Sequence, residues 1–198
     1  MVQAPPLYLR LPHQLTLLVT RAQFAALAAA NRELCLERTA TGELIVNPPT
    51  GGTTGDRNAR LIIQLGIWRE ASNIPGKIFD SSTGFELPSG ANRSPDLSWV
   101  SQARWDALTP AQQDGFIPLC PDFVVELRSK TDTLKDLRTK MEEYRSNGAQ
   151  LGWLIDPKNK RVEIYRPGQA VEVLENPQTL SGEGILPGFS LNLQRIWT

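Results

Sequence analysis

Residues 120–140 read "CPDFVVELRSKTDTLKDLRTK". The apolar run Phe123–Val125 has the character of a buried strand, yet it runs straight into Glu126, with a basic cluster behind it. A carboxylate at the end of a buried strand must be paired, protonated or bound to a cation. The segment that follows is a helix. Leu134, Leu137, Met141 and Tyr144 step by 3, 4 and 3, Thr133 with Asp136 forms a capping pair, and Gly148 supplies the stop.

Outward from this strand and helix, the rest of the chain assembles an α/β pattern. Downstream, "LGWLID", the turn "PKNK" and "RVEIYR" predict a hairpin, and "AVEVLE" and "LPGFSLNL" predict further short strands. Upstream, "SPDLSWV" predicts a strand and "KIFDSSTGFELP" a bent strand or hairpin, with a short helix and loop over 101–119. In "DRNARLIIQLGIWRE", residues 56–70, Ala59, Ile62, Ile63, Gly66 and Ile67 are spaced for a helix buried along one face. "NPPTGGTTG", residues 47–55, predicts a loop: it lacks the Gly-Lys-Ser/Thr ending of a phosphate cradle, though it could touch a nucleic-acid backbone. Before it, "LCLERTATGELIV" predicts two strands about a turn, and Thr20 caps a helix in "TRAQFAALAAANRE". Residues 1–19 predict an irregular, proline-rich leader and 20–198 a single domain. The order from residue 56 is helix, three strands, helix, strand, strand, which is a mixed sheet flanked by helices.

Composition narrows the chemistry. Lys+Arg and Asp+Glu stand at 21 each in 198 residues, so no global field draws the chain to a polyanion and any such site must be a local patch. From Arg128 to Arg145 the basic residues exceed the acidic ones by six to four, a weak footprint that reads first as a solvated face. A single histidine, His13, argues against Ser-His triads and multi-histidine metal sites. Cys35 and Cys120 fit no disulfide framework or zinc spacing and are expected to be buried thiols. With no long apolar run and no signal-peptide pattern, the expectation is a cytoplasmic protein without membrane attachment.

Carboxylates and lysines must therefore carry any reaction. Asp96 opens "PDLSWV" and Glu126 closes "PDFVVE". With a period of 2, Asp96, Ser98 and Val100 share one face of their strand, and Asp122, Val124 and Glu126 one face of theirs. If the strands are neighbours the two carboxylates converge, and a hard divalent cation such as magnesium would relieve their repulsion. Arg128, two residues after Glu126, stays protonated and cannot act as a base. Lys140 lies at the edge of the helix's apolar stripe, where its stem can run along the core and its ammonium reach the sheet end, whereas Lys135 points away. Each residue also has an ordinary reading. Asp96 can be a strand-opening turn residue, Glu126 can be paired internally with Arg128 or a helix lysine, and Lys140 can pair with Asp136 or Glu143 along its own helix.

"RSPDLSWV" with "CPDFVVELRS", the lysine and tyrosine of "KMEEY", and "GWLIDP" resemble the Uma-type restriction endonucleases of the PD-(D/E)XK nuclease superfamily. The resemblance runs from about "LERTATGELIVNPPT" to the C-terminus. It implies the restriction endonuclease-like α-β-β-β-α-β core, here preceded by an N-terminal helix and hairpin. It implies Asp96 and Glu126 as metal ligands with the Leu127 carbonyl as a third. The lysine moves from the strand to the helix, at Lys140, and Glu37 or Glu43 adds a further acidic group. The expected activity is magnesium-dependent hydrolysis of DNA phosphodiesters, with manganese as a substitute metal and a homodimer as the expected assembly. Arg128 departs from the superfamily's strand lysine and leaves a second reading open: an interaction module that keeps the fold, in which Arg128 neutralises Glu126. A carbohydrate hydrolase using paired carboxylates ranks last, because nothing in the sequence supplies sugar recognition.

Overall fold

The computed structural model describes residues 16–198, so most of the 1–19 leader lies outside the described residues. The elements in chain order are α1 (Arg21–Ala30), β1 (Cys35–Arg38), β2 (Leu44–Asn47), α2 (Gly52–Ser72), β3 (Gly76–Asp80), β4 (Phe85–Glu86), β5 (Asn92–Arg93) and β6 (Leu97–Ser101). They continue with α3 (Gln102–Asp106), α4 (Pro110–Asp114), β7 (Phe123–Leu127), α5 (Leu134–Ser146), β8 (Leu151–Asp156), β9 (Arg161–Tyr165), β10 (Glu172–Glu175), β11 (Thr179–Ser181), β12 (Ser190–Asn192) and α6 (Gln194–Trp197).

A six-stranded sheet, ordered β10-β9-β8-β7-β6-β3, forms the centre. Its one parallel pair is β7 with β8, and α5 makes the crossover between them. Both strands are buried throughout and therefore carry near-continuous apolar sequence. Phe123, Val125 and Leu127 point to one face, against Leu61 and Leu65 of α2 and the C-terminal segment. Val124 points to the other, against Leu137, Met141 and Tyr144 of α5. The small sheet β2-β1-β5-β4 contributes Phe85 to this second core, and the β4–β5 connection contributes Leu87 and Ala91. Gly152 on β8 permits the close seating of α5: a Cβ there would stand 2.6 Å from the Met141 methyl. At its ends α5 carries the predicted devices, with the Thr133 hydroxyl accepting from the Asp136 N–H at 3.1 Å and Gly148 at φ +109 beyond the last turn.

Several expectations change. α2 begins at Gly52, so residues 52–55 of the stretch expected to be a loop are helix, with the Gly55 N–H donating to the Gly51 carbonyl at 2.9 Å. Its buried stripe runs through Asn58, Leu61 and Leu65, while Ile63 and Ile67 are 56% and 65% exposed. The helix carries two apolar stripes, and spacing alone could not choose between them. Cys35, at the outer end of β1, is exposed, whereas Cys120 is buried as expected. The region 101–119 forms two short helices, and "KIFDSSTGFELP" splits between the large sheet and the small one.

Candidate active site

The β6–β7 ladder pairs Leu97 with Val125 and Ser98 with Val124 antiparallel, a register that sets Asp96 opposite Glu126 at the sheet end. Asp96 sits just before β6, and its carboxylate is fixed from two directions. Oδ2 accepts from the Leu127 N–H at 2.7 Å and Oδ1 from the Asn58 side-chain amide of α2 at 3.0 Å. Because N–H and C=O of one strand residue point the same way, the Leu127 carbonyl faces the Asp96 side as well.

Glu126 is buried beneath α5, where Oε1 accepts from the Tyr144 hydroxyl at 3.0 Å and meets the Lys140 ammonium at 2.9 Å. The same ammonium lies 2.9 Å from Oε1 of Glu37, a buried residue of β1. The small sheet brings Glu37 there: β1 pairs with β5 at Arg38 and Asn92, which aligns Glu37 with the segment leading into Asp96. Glu37 accepts from the Ser94 N–H at 2.8 Å and from Arg93 at 3.3 Å, and Arg93 also binds Glu143 at 2.5 Å. Lys140 keeps 14% of its side-chain surface in solvent, and Asp96 is partly exposed, so the group opens to approach from outside.

The charges are unequally served. Burial pushes the Glu126 carboxyl up to about 8 against the pull of Lys140, with repulsion from Asp96 and Glu37 adding to the rise. Burial likewise raises Asp96, opposed by the Leu127 N–H and Lys140. For Glu37 burial works upward too, but Lys140 and Arg93 together hold it below the ordinary value. Lys140 is raised: burial works against its charge, and Glu126 and Glu37 more than offset it.

The structure thus brings Asp96, Glu126, Leu127 and Lys140 to one place. Of the two hairpin acids it brings Glu37 and not Glu43, whose N–H is bound into the turn by Thr39. Arg128 turns away from Glu126 and donates to Asp156 at 2.7 Å. Asn58 carried no sequence signal, because a lone asparagine within a helix pattern has many ordinary reasons to be there.

Among the described residues no three Asp, Glu, His or Cys side chains gather tightly enough to cage a metal unaided. What is present is a pair of carboxylates, a strand-end carbonyl and an approach from solvent. That set suits magnesium, which is commonly held by one or two carboxylates and completes its shell with waters and substrate phosphate. The surplus of buried negative charge around Glu126 fits a cation as well.

A mixed sheet between helices, with paired carboxylates at one sheet end and a lysine from the crossover helix, defines a restriction endonuclease-like protein. The chain belongs to the Uma2 family, described as "Putative restriction endonuclease", which it matches over residues 21–194. Membership in that family supports a nuclease. In structure the chain is similar to a "putative nuclease belonging to DUF820 from Anabaena variabilis ATCC 29413". The TM-score is 0.68 at 21% identity, over 82% of this chain and 89% of the other, a likeness of fold. A chain of the cryo-EM DrdV–DNA complex aligns with 62% of this chain and 10% of its own length, at 18% identity and a TM-score of 0.39, too low to bear on the argument. No curated protein sequence matches. Among the described residues no helix is long and apolar enough to cross a membrane.

Proposed function

We propose that the protein is a metal-dependent endonuclease that hydrolyses DNA phosphodiesters at the sheet end formed by Asp96 and Glu126. The observation that supports this most is the position of Lys140, whose ammonium lies 2.9 Å from Glu126 while Asp96 stands opposite Glu126 in register. Asp96, Glu126 and the Leu127 carbonyl would hold a magnesium or manganese ion. Bound there, the ion supplies a lowered pKa for the attacking water and neutralises charge on the phosphate. Lys140, kept protonated by two carboxylates, serves as a fixed positive charge beside the phosphate rather than as a base. Glu37 and the Tyr144 hydroxyl hold Lys140 and Glu126 in place, so little reorganisation is needed as charge develops. Arg128 pairs with Asp156 rather than with Glu126, whose internal partner is the helix lysine Lys140 at 2.9 Å.

Calorimetric titration of manganese into the wild type and Glu126→Ala, followed by supercoiled plasmid, tests this reading. Binding and nicking present in the wild type and lost together in the variant are expected. A wild type that binds no metal at millimolar concentration overturns it in favour of an interaction module.

A second copy of the chain is the proposed partner, seated on the outer face of α2. Ala59, Ile63, Gly66 and Ile67 form an apolar stripe on the side away from the sheet, with Ile63 and Ile67 56% and 65% exposed. The stripe is self-complementary. In an antiparallel pairing centred at the level of residue 65, Ile63 meets Ile67, as a two-fold interface requires. Ile67→Glu is expected to convert a dimer to a monomer in sedimentation equilibrium, and a monomeric wild type would rule the interface out.

A further inference from the structure

We infer that Asn58 is a positioning residue of the site: its side-chain amide fixes the Asp96 carboxylate for cation binding. This rests on the reading of Asp96 and Glu126 as metal ligands. Asn58 is 9% exposed and projects from the second turn of α2, on the sheet face opposite α5. Its Nδ2 donates to Asp96 Oδ1 at 3.0 Å, and its Oδ1 is buried with no hydrogen-bond partner among the described residues.

The orientation follows from chemistry. An ionised carboxylate only accepts, so the amide must present its N–H to Asp96, and rotating it would set two acceptors against each other. The acceptor is therefore left over. Burying it without a partner costs about 1–3 kcal/mol, and native proteins retain few such groups without a reason. Asp96 already holds the Leu127 N–H, so the second bond adds orientation rather than basic satisfaction: it prevents the carboxylate from swinging off the sheet end. Outer partners that orient a ligating carboxylate in this way typically carry 10–100-fold, order of magnitude, in metal affinity.

The test is manganese titration by calorimetry, without DNA, on the full chain of the wild type and Asn58→Leu, with thermal unfolding of both. Leucine is close in volume and removes both donor and acceptor. The expected result is about 10–100-fold weaker manganese binding with a melting temperature held or raised, because the orphaned oxygen is gone. A purely structural asparagine would give the reverse, a lower melting temperature and unchanged affinity, and that result overturns the inference while leaving the Asp96–Glu126 site standing. A wild type that binds no manganese overturns the underlying reading and this one with it. If the leucine variant does not fold, Asn58→Ala provides the same comparison, with circular dichroism to confirm its structure.

Discussion

Glu126 on β7 and Glu163 on β9 lie in one row across the sheet, joined through Leu154 of β8, which pairs with both. Two strand spacings put them about 10 Å apart. Both point toward α5, both are buried, and each accepts a hydrogen bond from a tyrosine hydroxyl, Tyr144 at 3.0 Å and Tyr165 at 2.9 Å. Their electrostatic situations are opposite. Arg138 grips both oxygens of Glu163, with the Nε bonds at 3.1 and 3.0 Å, and this together with Tyr165 holds the carboxyl below its ordinary value although burial works upward. Glu126 shares one lysine with Glu37, has Asp96 for a neighbour, and is pushed up to about 8. The same residue type on the same sheet face is a satisfied structural ion pair in one place and an underserved acceptor in the other. What separates them is the ratio of local cations to carboxylates, and the deficit lies where the site opens to solvent.

The sharpest way to break this contrast is to neutralise each carboxylate in turn. Glu126→Gln is expected to lower plasmid cleavage by at least about 100-fold while the melting temperature stays level or rises, because burial already disfavours a charge at this position. Glu163→Gln should do the converse, retaining cleavage per folded molecule and losing about 2 kcal/mol in urea denaturation. If both variants lost activity alike, the two carboxylates would not differ in kind.

Exchange of the cations comes next in size. Lys140→Ala leaves Glu37, Glu126 and Asp96 without their shared ammonium and should reduce both cleavage and stability, the latter by about 3 kcal/mol because a buried pair is broken. Arg138→Ala removes a side chain that is 45% exposed, so screening limits its cost to about 1 kcal/mol, with cleavage unchanged.

Titration sharpens the structural half. The folded-state carboxyl of Glu163 lies below its unfolded value, so its contribution is complete above the unfolded pKa of about 4.3. That contribution is lost as pH falls through the lower folded value. The stability difference between wild type and Glu163→Gln should therefore be constant near neutrality and shrink below about pH 4, as measured by urea denaturation from pH 7 to 3. Asp156, held low by Arg128 and Asn159 against the upward pull of burial, should follow the same course. The smallest effect is expected for Thr133→Ala. Losing this cap should cost about 1 kcal/mol with little change in cleavage, since α5 stays anchored by Leu137, Met141 and Tyr144.

Much of this was legible in the chain. The apolar stripe of α5, its Thr133–Asp136 cap and the strands around Glu126 follow from periods of 3.6 and 2, which local geometry imposes whatever the surroundings; Asp96, Glu126 and Lys140 were legible as candidates, and the β6–β7 pairing brings them together. The buried face of α2 was not legible. Leu61 with Leu65 and Ile63 with Ile67 offer equivalent stripes, and only the sheet beneath selects one. Nor could spacing choose Glu37 over Glu43, pair Arg128 with Asp156, or bring Asn58 to Asp96. These partnerships span 28 to 57 residues of chain, and they exist because strands and helices distant in sequence end at the same edge of one sheet. Sequence by itself determined which side chains share a face. Only the tertiary structure decided which charges meet, because burial and cation supply are properties of the assembled interior.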